Sequence, residues 1–109
     1  MSECLFCNII EGVIPSQKVY EDEHVYAFHD IDPKAPVHVL VIPKQHVATL
    51  DEVEDPALLA QLMQGVRHVA NDVLKLDAGY RVVINVREGG GQVVFHLHVH
   101  ILGGKQLVF

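Results

Sequence analysis

Apolar residues recur along this chain with two different periods, and the period marks the element. Phe6, Ile9 and Ile10 lie three and four positions apart, the spacing of one helical face, and predict a short helix from Glu3 to Glu11 that Gly12 ends. Pro15-Ser16 marks a turn. Two short strands follow, Lys18–Glu21 and Val25–Asp30, joined through the polar pair Asp22-Glu23. Asp30 to Pro36 holds two prolines and reads as a loop, since neither a helix interior nor a central strand accommodates them. Val37–Ile42 alternates as a strand that places His38, Leu40 and Ile42 on one face and stops at Pro43.

Asp55-Pro56 is a helix start, with a carboxylate to cap the first amides and a proline whose missing N–H is not needed there. Leu58, Leu59, Leu62, Met63, Val66, Val69, Ala70, Val73 and Leu74 continue as a stripe at helical spacing, with Gly79 just past its end. Tyr80–Val86 and Val94–Leu102 are predicted as the last strands, with the loop Glu88-Gly89-Gly90-Gly91-Gln92 between them. Short connections between neighbouring strands favour antiparallel pairing. The expected fold class is therefore α+β: an antiparallel sheet of about five strands with one short N-terminal helix and one long helix packed on it. No linker or repeat interrupts residues 1–109, a length that forms one domain.

Charge narrows the function. Eight Lys and Arg against 14 Asp and Glu give a net charge of −6 without any basic run, which disfavours nucleic acid and anionic membranes as partners. No apolar run approaches the ~18 residues that span a bilayer. Ser2 and Glu3 do not begin a signal peptide, and two cysteines are too few for a multi-bridge scaffold, so a cytoplasmic location is expected.

Eight histidines, three at alternate positions, are the anomaly. On a strand, Phe95–Leu102 puts His96, His98 and His100 on one face and Leu97, Val99 and Ile101 on the other. A lone strand histidine is usually structural. Three on one face can chelate a catalytic iron or zinc. They can also form a nucleophilic site, in which one imidazole attacks while its neighbours hold its tautomer and supply protons. The loop before them favours the second chemistry. Gly89-Gly90-Gly91-Gln92-Val93 can present successive backbone N–H groups as an anion-holding nest, which points to phosphorus chemistry.

His96-Leu97-His98-Val99-His100-Ile101-Leu102 resembles the histidine triad (HIT) motif, His-φ-His-φ-His-φ-φ with φ apolar, and the trailing Gly103-Gly104 resembles its Hint branch, the purine nucleoside phosphoramidases. Phe28-His29-Asp30-Ile31, Ala35 to Lys44, Gly79-Tyr80-Arg81, Asn85 and Gly91-Gln92 agree, so the resemblance runs from about residue 5 to 106. It implies a HIT-like fold and a hydrolase that releases AMP or GMP from a P–N bond without a catalytic metal. His98 would be the nucleophile, His100 would contact the phosphate and protonate the departing amine, the carbonyl of His96 would orient His98, and His38 would support them. Asp30 would accept the ribose hydroxyls. Phe28, Ile31 and Leu40, with Phe6 and Ile9, would line a purine slot, although the same residues suit an ordinary core. Asn85, Gly91 and Gln92 would meet the phosphate.

Val93 stands where many members carry Ser, leaving only its backbone N–H for a phosphate oxygen and more of the protonation to His100. The resemblance also implies a homodimer built through the long helix and a central strand. A diadenosine polyphosphate hydrolase is the alternative within the class, against which Gly103-Gly104 argues. A nucleotide-binding module with little turnover is a third reading, which Val93 would suit.

Cys4-Leu5-Phe6-Cys7 places two sulfurs on one helical face, where both can reach one metal. Two ligands do not close a tetrahedral site, and a redox dithiol or two buried small residues are the other readings. Resemblance to bacterial Hint-like proteins with this cysteine pair implies a structural zinc completed by His46, in Pro43-Lys44-Gln45-His46, and by His96. His24, His29 and His68 receive no chemical role.

Overall fold

The computed structural model describes residues 2–109. In chain order the elements are α1 (Leu5–Ile10), β1 (Lys18–Glu21), β2 (Val25–His29), β3 (Val37–Pro43), a 3-10 turn (Leu50–Glu52), α2 (Pro56–His68) running into a π turn (Val69–Val73), β4 (Arg81–Val83), a second 3-10 turn (Glu88–Gly90) and β5 (Val99–Gly103). The strands form one sheet in the order β1-β2-β3-β5-β4, and each neighbouring pair is antiparallel. The α+β class and the expected sequence of elements hold. Among the described residues no helix is long and apolar enough to cross a membrane.

Asp55 caps α2 by accepting the Ala57 N–H at 3.0 Å. Leu58, Leu62, Val66, Val69 and Ala70 then bury one helix face against Val25, Ala27, Val39, Val41, Val99 and Ile101 of the sheet. Gly65 sets the approach, since a Cβ there would lie 2.9 Å from a Val25 methyl. Leu62 is 1% exposed at the centre of this layer. Leu62→Ala is expected to cost about 3 kcal/mol, because the cavity cannot collapse between a helix and a sheet. The drop in urea midpoint measures it. The opposite sheet face packs Tyr26, Phe28, Leu40 and Ile42 against Phe6 and Ile9 of α1.

Several boundaries differ from the predicted ones. Cys4 caps α1 by accepting the Cys7 N–H, so the helix starts at Leu5 rather than Glu3. The helical stripe ends at Leu74, where the spacing put it, and Lys75 (φ 56°) turns the chain out of the helix ahead of Gly79 (φ 112°). β4 covers only Arg81–Val83 of the predicted Tyr80–Val86, its last pair being Val83 with His100. The predicted Val94–Leu102 strand is regular only from Val99. Beyond the Val41–Val99 pair the partner strand reaches Pro43, which has no N–H to give, and the Leu97 N–H donates instead to Val47 at 2.7 Å. The alternation survives this departure: Leu97, Val99 and Ile101 all enter the core under α2.

Candidate active site

Backbone groups fix which nitrogen of each site histidine carries the proton. The Lys34 N–H donates to His38 Nδ1 at 3.0 Å, and His38 Nε2 lies 2.9 Å from His100 Nδ1. An amide only donates, so a neutral His38 keeps its proton on Nε2 and passes that hydrogen bond to His100 Nδ1. His100 then carries its own proton on Nε2, an atom that is buried and has no partner. Burial holds both rings neutral: it lowers His38, and it pushes His100 down to about 4.

His98 lies 2.8 Å through Nδ1 from the His96 carbonyl, which can only accept. Its proton is therefore on Nδ1 and its lone pair on Nε2. Burial lowers His98 as well, with the His96 carbonyl opposing, so the lone pair is free at neutral pH. His96, fully buried, donates from Nε2 to the Pro43 carbonyl at 2.8 Å, which leaves a lone pair on Nδ1. Neither the Lys34 amide nor the Pro43 carbonyl was visible as a site feature in the sequence, since every residue type offers such groups.

An unfolded imidazole gains its proton near 6.5, whereas folded His100 does so at about 4. Between those values the unfolded chain binds more protons, so stability falls as pH drops through this window and flattens below it. Urea midpoints measured between pH 7 and pH 3.5 are expected to show that sign.

Of the five residues expected to line an apolar slot, the structure brings four together. Phe6, Ile9, Phe28 and Leu40 are buried together, and the Phe6 ring meets Phe28, His96 and His98 edge-on at 5.4, 5.9 and 5.2 Å between centroids. Ile31 is fully exposed and stands outside this cluster, beside Asp30. Asp30 accepts the Asp32 N–H at 2.8 Å and keeps its other oxygen 3.5 Å from His38 Nε2.

The glycine loop is not an open nest. Glu88–Gly90 coils into a 3-10 turn, which turns the amides of Gly90, Gly91 and Gln92 back onto the carbonyls of Arg87 and Glu88 at 3.0 Å each. Asn85 donates from Nδ2 to Gly90 at 2.8 Å. The Gln92 side chain is buried and ties the loop down, accepting from Arg87 N–H and donating to Ala48 and Val94. Val93, next in line, is 84% exposed. A cavity of about 520 Å³ lies elsewhere, between residues 75–81 and 104–107, and contains no histidine or cysteine. Chemistry, not volume, locates the site.

The sulfurs of Cys4 and Cys7 and the rings of His46 and His96 converge, with their ligand atoms all within 4.8 Å of one another. His96 Nδ1 lies 3.3 Å from Cys4 Sγ, 3.5 Å from Cys7 Sγ and 3.2 Å from His46 Nδ1, and Cys7 Sγ is 3.4 Å from His46 Nδ1. Around a tetrahedral zinc two nitrogens stand roughly 3.3 Å apart, and a nitrogen and a sulfur roughly 3.6 Å. The set therefore fits such an ion, and the lone pair left on His96 Nδ1 faces it. Such an ion would hold both sulfurs as thiolates. Without a cation, burial and the neighbouring Cys4 push the Cys7 thiol up to about 11. Among the described residues the triad itself forms no chelate: His96 aims at the sulfurs, and His98 Nδ1 is spent on a carbonyl. Asp30, His38 and His100 also converge, but the His38–His100 hydrogen bond accounts for their approach.

The HIT domain family matches residues 11–107. An uncharacterized HIT-like protein of Synechococcus elongatus is 49% identical over 112 aligned positions, covering 100% of this chain and 97% of that protein. Protein HitA of Neisseria gonorrhoeae is 45% identical, covering 94% and 97%. A HIT family hydrolase from Legionella pneumophila shares the fold with a TM-score of 0.92 at 46% identity, over 98% of this chain and 97% of that one. A histidine triad nucleotide-binding protein from Candida albicans does so with a TM-score of 0.83 at 40% identity, over 91% and 73%. On the matched family and these full-length likenesses, the chain belongs to the HIT domain family.

Proposed function

We propose that the chain is a nucleotide hydrolase of the Hint type, which cleaves the P–N bond of adenosine or guanosine 5′-phosphoramidates through a covalent nucleotidyl-His98. The observation that carries this reading is the His98 Nδ1 hydrogen bond to the His96 carbonyl, which leaves Nε2 as a buried, unprotonated nucleophile. Names of relatives support it: one is a hydrolase, another a nucleotide-binding protein.

In this mechanism the Nε2 lone pair attacks the α-phosphorus and forms a P–N bond to His98. The substrate's own P–N bond breaks, and its electron pair leaves with the amine. That amine takes the Nε2 proton of His100, while the phosphorylated His98 ring, still protonated on Nδ1, carries the compensating positive charge and the His38 N–H steadies the His100 ring through Nδ1. Water then attacks the phosphorus and gives its proton to His100 Nε2, and the P–N bond to His98 breaks with its electron pair returning to Nε2, which releases the nucleotide and restores both histidines. Asp30 accepts the ribose hydroxyls, and Phe28 and Leu40 with Phe6 and Ile9 form one wall for the purine. Asn85 and the Val93 amide are the groups that meet the phosphate in this reading, with Gly91 as the tight turn between them and Gln92 holding their loop in place.

Rapid-quench intact mass of the protein mixed with adenosine 5′-phosphoramidate tests this. A transient increment of one AMP is expected, followed by AMP release. Binding with neither adduct nor AMP would leave a nucleotide-binding module, and faster release from diadenosine polyphosphates than from the phosphoramidate would favour that substrate class.

We further propose a structural zinc on Cys4, Cys7, His46 and His96, supported by the ligand spacing above. It would staple α1 to the loop after β3 and to the first triad histidine. A homodimer is the expected assembly, because β4 is a sheet edge and Val82, Met63 and Val73 are exposed apolar side chains on β4, on α2 and in its π turn. Sedimentation is expected to give twice the 12.1 kDa chain mass, and Val82→Asp to shift it toward the monomer.

A further inference from the structure

We propose that Cys4 and Cys7 form an oxidation site: a peroxide converts them to a disulfide, which releases the metal and with it α1, and so disarms His98. The proposal rests on the metal reading above. It starts from the way one residue joins the two centres. His96 offers Nδ1 to Cys4 and Cys7 at 3.3 and 3.5 Å, and its own carbonyl holds His98 Nδ1 at 2.8 Å. What happens at the sulfurs therefore reaches the group that sets the tautomer of His98.

The helix between the two cysteines adds a second connection. α1 has six residues, far fewer than an isolated helix needs to persist in water, so its position depends on what anchors it. Its anchors are the two sulfurs, one capping it and one on its first turn, and the Phe6 and Ile9 side chains. Phe6 lies directly between the cysteines in sequence, and its ring touches both His96 and His98. Loss of the sulfur anchor leaves α1 held by Phe6 and Ile9 alone, and so loosens the ring that packs against His98 and one wall of the apolar slot together.

Cysteines at a helix cap and three residues later are close enough to join, and here both are partly exposed, so a small oxidant reaches them. The reaction balances with hydrogen peroxide. One thiolate attacks a peroxide oxygen, the O–O bond breaks and hydroxide leaves, giving a sulfenic acid. The second thiolate attacks that sulfur, the S–S bond forms and a second hydroxide leaves. Two sulfurs are oxidised and two oxygens reduced, and the divalent ion departs because His46 and His96 alone do not complete its shell.

The test uses the full chain loaded with zinc and treated with hydrogen peroxide. Four quantities are read: zinc released to a chromogenic chelator, intact mass, AMP affinity, and the His98 tautomer by long-range proton–nitrogen NMR of its ring. The expected result is one zinc released per chain, a loss of two mass units, at least tenfold weaker AMP binding and loss of the single Nδ1–H form of His98. Dithiothreitol with added zinc reverses all four. Cys7→His, which removes the second thiol, is expected to show no loss of two mass units under the same treatment.

Disulfide formation and zinc release with His98 and AMP affinity unchanged would overturn the proposal. So would persistence of both thiols under peroxide. A chain that binds no zinc would refute the metal reading and overturn this proposal with it, because no metal is then released when the disulfide forms. The tautomer signal needs no turnover, so it separates failure of the switch from failure of the phosphoramidase reading.

Discussion

His98→Ala is expected to lower turnover of adenosine 5′-phosphoramidate by roughly 10⁴-fold or more, the scale on which enzymes lose activity when a covalent nucleophile is removed. Nothing else in the site replaces it. His96 has its lone pair aimed at the sulfurs, and His100 offers a proton, not a lone pair, on the nitrogen that is free of partners. The ring of His98 packs against Phe6, so the substitution also leaves a small void, which thermal denaturation monitors separately. AMP affinity is expected to change by less than about tenfold, since the loss falls on a bond made only during reaction. Parallel steady-state rates and AMP titrations decide the matter: a variant retaining a tenth of wild-type turnover would remove His98 from the role.

The second large effect belongs to His100→Ala, expected to cost roughly 10²- to 10⁴-fold, the usual range for a positioned general acid. The penalty should depend on the departing group. An alkylamine needs a proton as the P–N bond breaks, and Val93 supplies no hydroxyl to help. An electron-poor arylamine leaves more readily without one. The ratio of wild-type to variant rates is thus expected to shrink across a series from alkylamine to nitroaniline phosphoramidates. A penalty constant across the series would show that His100 only holds the phosphate.

Much of the fold was legible because it follows from periodicity. The α2 stripe and its Asp55-Pro56 start, β1, and the alternation Leu97, Val99, Ile101 all appear in the structure where spacing put them. Failures arose where a tertiary partner overrode the local signal. The strand through the triad is regular only from Val99 because its neighbour ends in a proline. Glycine richness at 89–91 suggested free amides, but a 3-10 turn consumes those of Gly90, Gly91 and Gln92. The convergence of Cys4, Cys7, His46 and His96 came from resemblance, since residues 4 and 96 share no local pattern.

The proton positions around the triad are set by the Lys34 amide and the carbonyls of Pro43 and His96. Transplanting His-x-His-x-His onto another strand would accordingly carry over the imidazoles but not their protonation pattern. A functional graft has to include the 30–38 loop and the end of β3, as a rigid frame whose side chains other than those of Asp30 and His38 are largely replaceable. At Lys34 a deep substitution scan should tolerate nearly everything but proline, the single residue that cannot present the N–H.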